Sequence, residues 1–275
     1  MSKITAADVN KLRKQTGAGM MDCKNALVEA NGDFEAAIDI LRKKGQKIAA
    51  KRADREATEG AVIAKASADN KRGVIISLNC ETDFVAKNDS FVELANRMAD
   101  IALENFPATL EDLLSSTFDG SMTVADKLTE QTGVIGEKLE LGAFEKIEGE
   151  FIGSYIHAGN KLASVVSLSG EAAEAAKDVA MQAAAMNPVA LDRSSVTQEA
   201  IDREMDIIRD QIRQEGKPED MVEKIAQGKL NKFFKENTLV DQDFIKDSKL
   251  SVSKYLDGVE KGLTVTGFKR VGLGM

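Results

Sequence analysis

Laid against itself, this chain repeats. Residues 59–80, EGAVIAKASADNKRGVIISLNC, align with residues 148–170, EGEFIGSYIHAGNKLASVVSLSG. Each copy reads as a strand, a turn built on Asn-Lys and a second strand. In the first, Val74, Ile76, Leu78 and Cys80 share one face at the period of two that a strand requires. The likeness resumes at MTVADKL (122–128) against LSVSKYL (250–256), then at GAFEKI (142–147) against TGFKRV (266–271). Self-similarity at long spacing, with the elements recurring in one order, marks a duplicated unit. The pattern predicts an α+β fold with two related core subdomains, at 59–147 and 148–275. Each has two strands, a helix, further helices and a closing strand, with helices covering one sheet face.

After the paired strands, Ser90 and Glu93 can cap a helix that carries Phe91, Leu94, Met98 and Ile101 at steps of three and four and ends before Pro107. Its counterpart, EAAEAAKDVAMQAAAMNP, places Val179, Ala180 and Ala183 similarly and stops before Pro188; its alanines allow a close approach to the sheet. The copies then diverge in two ways. CETDFVAKND joins strand to helix in the first copy, whereas SLSG passes almost directly into the helix of the second. The second copy instead carries an insertion at roughly 189–249. Ile201, Met205, Ile208 and Ile212, a reversal at Glu215-Gly216-Lys217-Pro218, and Val222, Ile225, Leu230 and Phe233 predict an antiparallel helical hairpin at about 197–235.

Ahead of the repeat lies a different unit, residues 1–45. Thr5 and Asp8 read as a capping box before Val9 and Leu12, with a break at Thr16-Gly17. MDCKNALVEA fits a second helix with Met20 or Met21, Cys23, Ala26 and Leu27 turned inward, and Phe34, Ala37, Ile38 and Leu41 line a third that ends at Gly45. Three short helices are marginal alone, so the unit should dock or serve in recognition. Residues 46–58, QKIAAKRADREAT, form a basic linker whose Asp54 and Glu56 dilute its charge.

Composition narrows the chemistry. Lys and Arg number 37 against 45 Asp and Glu, a formal charge of -8, which argues against a chain-wide nucleic-acid footprint. One His, two Cys and no Trp leave little for a metal or a nucleophile; Cys23 and Cys80 lie far apart with no CxxC pair. A reducing, cytoplasmic setting follows, with no membrane span and no signal peptide in MSKITAADVNKLRKQ. TGAGMMDC lacks the third glycine of a dinucleotide loop. GSYIHAGNKL puts five residues between Gly153 and Gly159 but sets Asn160 before Lys161 and no hydroxyl after it. The reading is therefore no cofactor, no metal and no nucleotide held by the chain itself. His157 has no orienting carboxylate legible nearby, so an ordinary turn or surface histidine fits better than a general base.

Thr82-Asp83-Phe84-Val85 stands out because it occupies the segment peculiar to the first copy. Two accounts are open from the residues alone. Asp83 could cap the next helix with Phe84 packed beneath it, or a rigid aromatic beside a carboxylate could enter a partner's groove.

LRKQTGAGMMDCKNALVEANGDFEAAIDILRKKG, NCETDFVAKNDSF, GSYIHAGNKLASVV, EGKPEDMVEKIAQGKLNKFF and VTGF at 265–268 together resemble the bacterial translation elongation factor Ts family, guanine-nucleotide exchange factors of elongation factor Tu. The resemblance implies that residues 1–45 are a ubiquitin-associated-type helical module that docks on the GTPase, with Arg13, Met20 and Met21 at contact positions. It implies that Asp83 and Phe84, flanked by Thr82 and Val85, push between two partner helices near the Mg²⁺ and phosphate site, and that His157 also touches the partner. A protein-binding scaffold without exchange activity is the alternative. Some members of that family carry a C-terminal helical module beyond the last strand; here the similarity closes at VTGFKRVGLGM, and self-association is left open.

Overall fold

The computed structural model describes residues 4–274. Helices α1 (Ala6–Thr16), α2 (Met20–Glu29) and α3 (Phe34–Arg52) enclose Leu12, Cys23, Leu27 and Ala37. The Thr5–Asp8 capping box opens α1, and Gly17, at φ 69°, closes it by donating its N–H to the Arg13 carbonyl. Met20 and Met21 are both exposed, contrary to the expectation that one turns inward, because Cys23, Ala26 and Leu27 already fill the inner face. Nor does α3 end at Gly45. It continues to Arg52, through half of the stretch expected to be linker.

The chain then forms β1 (Glu59–Ala66), β2 (Arg72–Cys80), the single turn α4 (Asp83–Ala86), α5 (Asp89–Asn105), α6 (Leu110–Ser115), β3 (Thr117–Asp119), β4 (Met122–Thr123), α7 (Val124–Ile135) and β5 (Glu140–Glu148). It continues through β6 (Phe151–Ile156), β7 (Leu162–Leu168), α8 (Ala173–Met186), α9 (Gln198–Gln214), α10 (Glu219–Asn237), β8 (Asp243–Phe244), β9 (Asp247–Ser251), α11 (Val252–Val259) and β10 (Val265–Gly272). The first sheet has the antiparallel order β1-β2-β5; the second, β6-β7-β10, has the same connectivity. The short hairpins β3–β4 and β8–β9, placed alike ahead of α7 and α11, have no counterpart in the sequence reading. Asn88, rather than Ser90, caps α5.

Each sheet is buried on both faces. Ile63, Val74, Ile76, Leu78 and Cys80 meet Phe91, Ala95 and Met98 of α5, while Phe151, Val166 and Leu168 meet Ala176, Val179 and Ala183 of α8. The opposite faces, with Val62, Ala64 and Ile75 on one sheet and Ile152, Ala163 and Val165 on the other, pack together. The resulting layers run helix, sheet, sheet, helix. This explains why VIISL is buried without the polar alternation of a half-exposed strand. Alanines bring α8 so near β6 that a Cβ on Gly153 would lie 2.6 Å from the Ala176 backbone carbon.

The hairpin turns join the two sheets. Val62 N–H donates to the Asn160 carbonyl and Ile152 N–H to the Asn70 carbonyl, both at 2.7 Å. The two asparagines occupy matching turn positions and adopt left-handed φ values of 54° and 56°. Away from the sheets, α9 and α10 close on their own seam of Met205, Ile208, Ile212, Val222, Ala226, Leu230 and Phe234.

Candidate functional site

Beyond Cys80 the chain leaves the first sheet and turns at once into α4. Thr82, in extended conformation, is the cap: its hydroxyl oxygen accepts from Val85 N–H, and Asp83 is the first helical residue. Ala86 is buried and Val85 packs partly against the α5 core, which fixes the inner side of the turn. Phe84 points outward and is 83% exposed. The account with Asp83 as cap and Phe84 beneath the helix is thereby excluded.

Glu137 holds the segment directly, and Glu81, the residue ahead of it, is itself anchored. Thr82 donates its N–H to Glu137 Oε2 at 3.0 Å and its hydroxyl to Oε1 at 2.7 Å. Glu81 Oε1 accepts from the Lys138 backbone N–H and from Arg52 Nη1, both at 2.7 Å. Lys138 Nζ in turn donates to the Arg55 carbonyl at 3.1 Å. The Lys138 amide, then the Arg52 guanidinium, hold the Glu81 carboxyl below the usual range of a glutamic acid. No local sequence signal marks Glu137, since it lies far along the chain from Thr82.

Asp83 pairs with Lys87 at 2.6 Å. That hydrogen bond chiefly, with the charges of Lys87 and Lys161, lowers its pKa. Burial, followed by the Glu137 charge, pushes the Cys80 thiol up to about 12, and its S–H donates to the Thr82 carbonyl at 3.2 Å. Cys80 is thus a neutral packing group. Cys23 and Cys80 are both free and buried.

His157 lies exposed in the turn after β6, with Nδ1 at 3.0 Å from the Tyr155 hydroxyl. The same turn borders the α4 side of the molecule: Gly159 and Asn160 share a surface groove with Ala86, Lys87, Val92 and Asn96. Lys161, ion-paired to Glu59 at 2.8 Å, is near enough to act on Asp83. Thr82 to Val85 and the His157 turn therefore adjoin one another. Arg13, Met20 and Met21 are exposed on the N-terminal helices, outside the cluster that holds them together, and Val28 adds an apolar surface residue that the sequence reading did not single out. Among the described residues, no three His, Cys, Asp or Glu side chains gather to hold a metal ion, and no helix is long and apolar enough to cross a membrane.

The segment thus presents an exposed aromatic on a short, heavily braced turn. The family model described as elongation factor TS matches residues 81–275, beginning at Glu81. Over 277 residues, the whole of both chains, this protein is 62% identical to an elongation factor Ts of Christiangramia forsetii. It is 61% identical to that of Flavobacterium psychrophilum with the same coverage. To the elongation factor Ts of Amoebophilus asiaticus it is 54% identical over 275 residues, spanning 98% of this chain and 99% of the relative. With likeness of that extent running through the braced segment and both sheets, the chain belongs to the elongation factor Ts family.

Proposed function

We propose that this protein is a guanine-nucleotide exchange factor that binds elongation factor Tu and accelerates its release of GDP, in the elongation step of translation in the cytoplasm. The observation that carries the reading is Phe84, a large apolar ring 83% exposed on a turn anchored from behind. A rigid aromatic held out on an anchored turn is the kind of group that serves as the central anchor of a protein contact. Factor and nucleotide weaken each other's hold on the same GTPase through one coupling free energy, so exchange requires no covalent chemistry or cofactor of the factor's own. Phe84 inserts between partner helices and shifts them at the Mg²⁺-phosphate site. Asp83 competes for hydrogen bonds there.

In this reading the N-terminal helices are a ubiquitin-associated-type docking module that presents Arg13, Met20 and Met21. The two sheets with their helices are duplicated core subdomains, α9–α10 is an inserted hairpin, and His157 supplies a second contact beside Thr82 and Val85. The test is stopped-flow release of fluorescent GDP from elongation factor Tu, with circular dichroism to verify folding. Phe84→Ala should cost about 2 kcal/mol or more of accelerated release, roughly thirtyfold. A wild-type saturated rate in that variant overturns the wedge, and a wild-type chain that binds without accelerating release is a scaffold instead.

A further inference from the structure

Glu81 and Glu137 form a reciprocal pair. Each carboxylate takes the backbone N–H of the residue that follows the other: Glu137 that of Thr82, at 3.0 Å, and Glu81 that of Lys138, at 2.7 Å. The strand-to-α4 segment and the α7-to-β5 turn are thus clamped by two charge-assisted hydrogen bonds running in opposite directions. Glu137 does one thing more. A threonine hydroxyl has a single hydrogen, and because it is donated to Glu137 Oε1 at 2.7 Å, the oxygen lone pairs remain free to cap Val85 N–H. The orientation of the cap that starts α4 is therefore set by a residue outside the segment. Arg52, at the end of α3, joins the clamp through Glu81 and links it to the N-terminal helices.

We propose that Glu137 is a positioning residue for nucleotide exchange: with Glu81 it holds the Asp83-Phe84 turn in its projecting conformation before the partner arrives. This rests on the exchange reading above. Phe84 makes no core contact of its own, so the direction of its ring is inherited from the backbone at Thr82. A turn fixed in advance spends less conformational freedom on insertion, and a displacement of about 1 Å at such a site costs up to roughly a hundredfold in rate.

The experiment uses the full chain with Glu137→Ala, Glu137→Gln, Thr82→Val, the Glu137→Ala/Thr82→Val double variant and Phe84→Ala. Two readouts are taken: amide hydrogen exchange at Thr82 and Val85, and GDP release from elongation factor Tu across factor concentrations. Glu137→Ala should lose protection at both amides. It should lower the saturated release rate about tenfold with the half-saturating concentration changed less than about threefold. Thr82→Val, which keeps the backbone N–H bond to Glu137 but removes the hydroxyl, should lose protection at Val85 alone, and the double variant should lose less than the sum of the two single ones because the pair shares the hydroxyl contact. Glu137→Gln, which retains one acceptor oxygen, should fall between, and it carries the test if the alanine variant does not fold.

Unchanged protection at Thr82, or a wild-type saturated rate in Glu137→Ala alongside a defective Phe84→Ala, overturns the positioning role. So does a loss confined to the half-saturating concentration. A normal Phe84→Ala instead overturns the wedge reading, and the positioning role falls with it, whereas the hydrogen-exchange result still reports the clamp.

Discussion

Gly133 of α7 lies against Gly45 of α3 so closely that a Cβ on Gly133 would come within 2.4 Å of the Gly45 Cα. The two helices cross here backbone to backbone, and this crossing seats the N-terminal helices on the first sheet's side of the molecule. The reverse substitution is easier: a Cβ on Gly45 would meet the Thr129 carbonyl oxygen at 3.4 Å and nothing nearer. Gly133→Ala should therefore destabilise by about 1–3 kcal/mol through forced separation of the helices. For Gly45→Ala, a gain of about 1 kcal/mol in helix propensity offsets the tighter contact, leaving stability nearly unchanged. Urea unfolding of the two variants decides the matter, and equal effects would show that the crossing is not the constraint.

Met20 and Met21, 53% and 63% exposed, lie outside the three-helix cluster. Replacing both by Ser should leave the melting temperature within about 2 °C of wild type, as is usual for surface changes. It should weaken binding to elongation factor Tu about tenfold if flexible apolar side chains make the docking contact. The loss belongs in the half-saturating concentration rather than the saturated release rate, which separates docking from the action of Phe84. Calorimetry showing unchanged affinity would remove the methionines from the interface.

Local patterns carried much of this fold and little of its bracing. The paired strands around Asn70 and Asn160, the steps of three and four in α5, and the α9–α10 seam are all visible in the order of residues, because each depends on neighbours within a few positions. Gly45 reads as a helix stop by the same logic. Only the distant Gly133 reveals it as a point of close approach. The second buried face of β2 is likewise invisible until another sheet covers Ile75. At the candidate site, Thr82 to Val85 is conspicuous as a segment, yet the side on which Phe84 emerges depends on Ala86 and Val85 turning inward and on Glu137 reaching Thr82. These are tertiary relations with no short-range signature.

The α9–α10 hairpin should be removable. Its apolar residues pack on each other, and Arg209–Glu223 at 2.7 Å and Arg213–Glu219 at 2.9 Å lace its exposed sides. Its base is closed independently, with Val189 N–H donating to the Asn237 carbonyl at 2.9 Å and Leu239 N–H to the Ala190 carbonyl at 3.0 Å. Substituting residues 199–233 by a short flexible link should keep both sheets folded. It should reduce exchange efficiency by about tenfold or less, the cost of contacts lying outside the central hot spot. Complete loss of exchange from a chain with intact circular dichroism would place the hairpin within the exchange machinery.

Glu81 makes the clamp sensitive to acid in a defined direction. Its folded-state pKa lies below the ordinary value of 4.5, owing first to the Lys138 amide and then to Arg52. Above that ordinary value the carboxylate is ionised in both folded and unfolded chains, so its contribution to stability is complete and flat with pH. As pH falls below about 4.5 the unfolded chain takes up the proton first, stability declines, and the contribution disappears once pH passes through the folded-state value. Other carboxylates share the acid limb, Asp8 and Asp126 at helix caps among them, so wild-type unfolding alone does not isolate Glu81. The stability difference between wild type and Glu81→Gln does. It should be constant from neutral pH to about pH 5 and shrink below about 4.5. Urea titrations of both proteins across that window provide the measurement. A difference that grows on acidification would mean that Glu81 holds Lys138 and Arg52 without gaining from its charge.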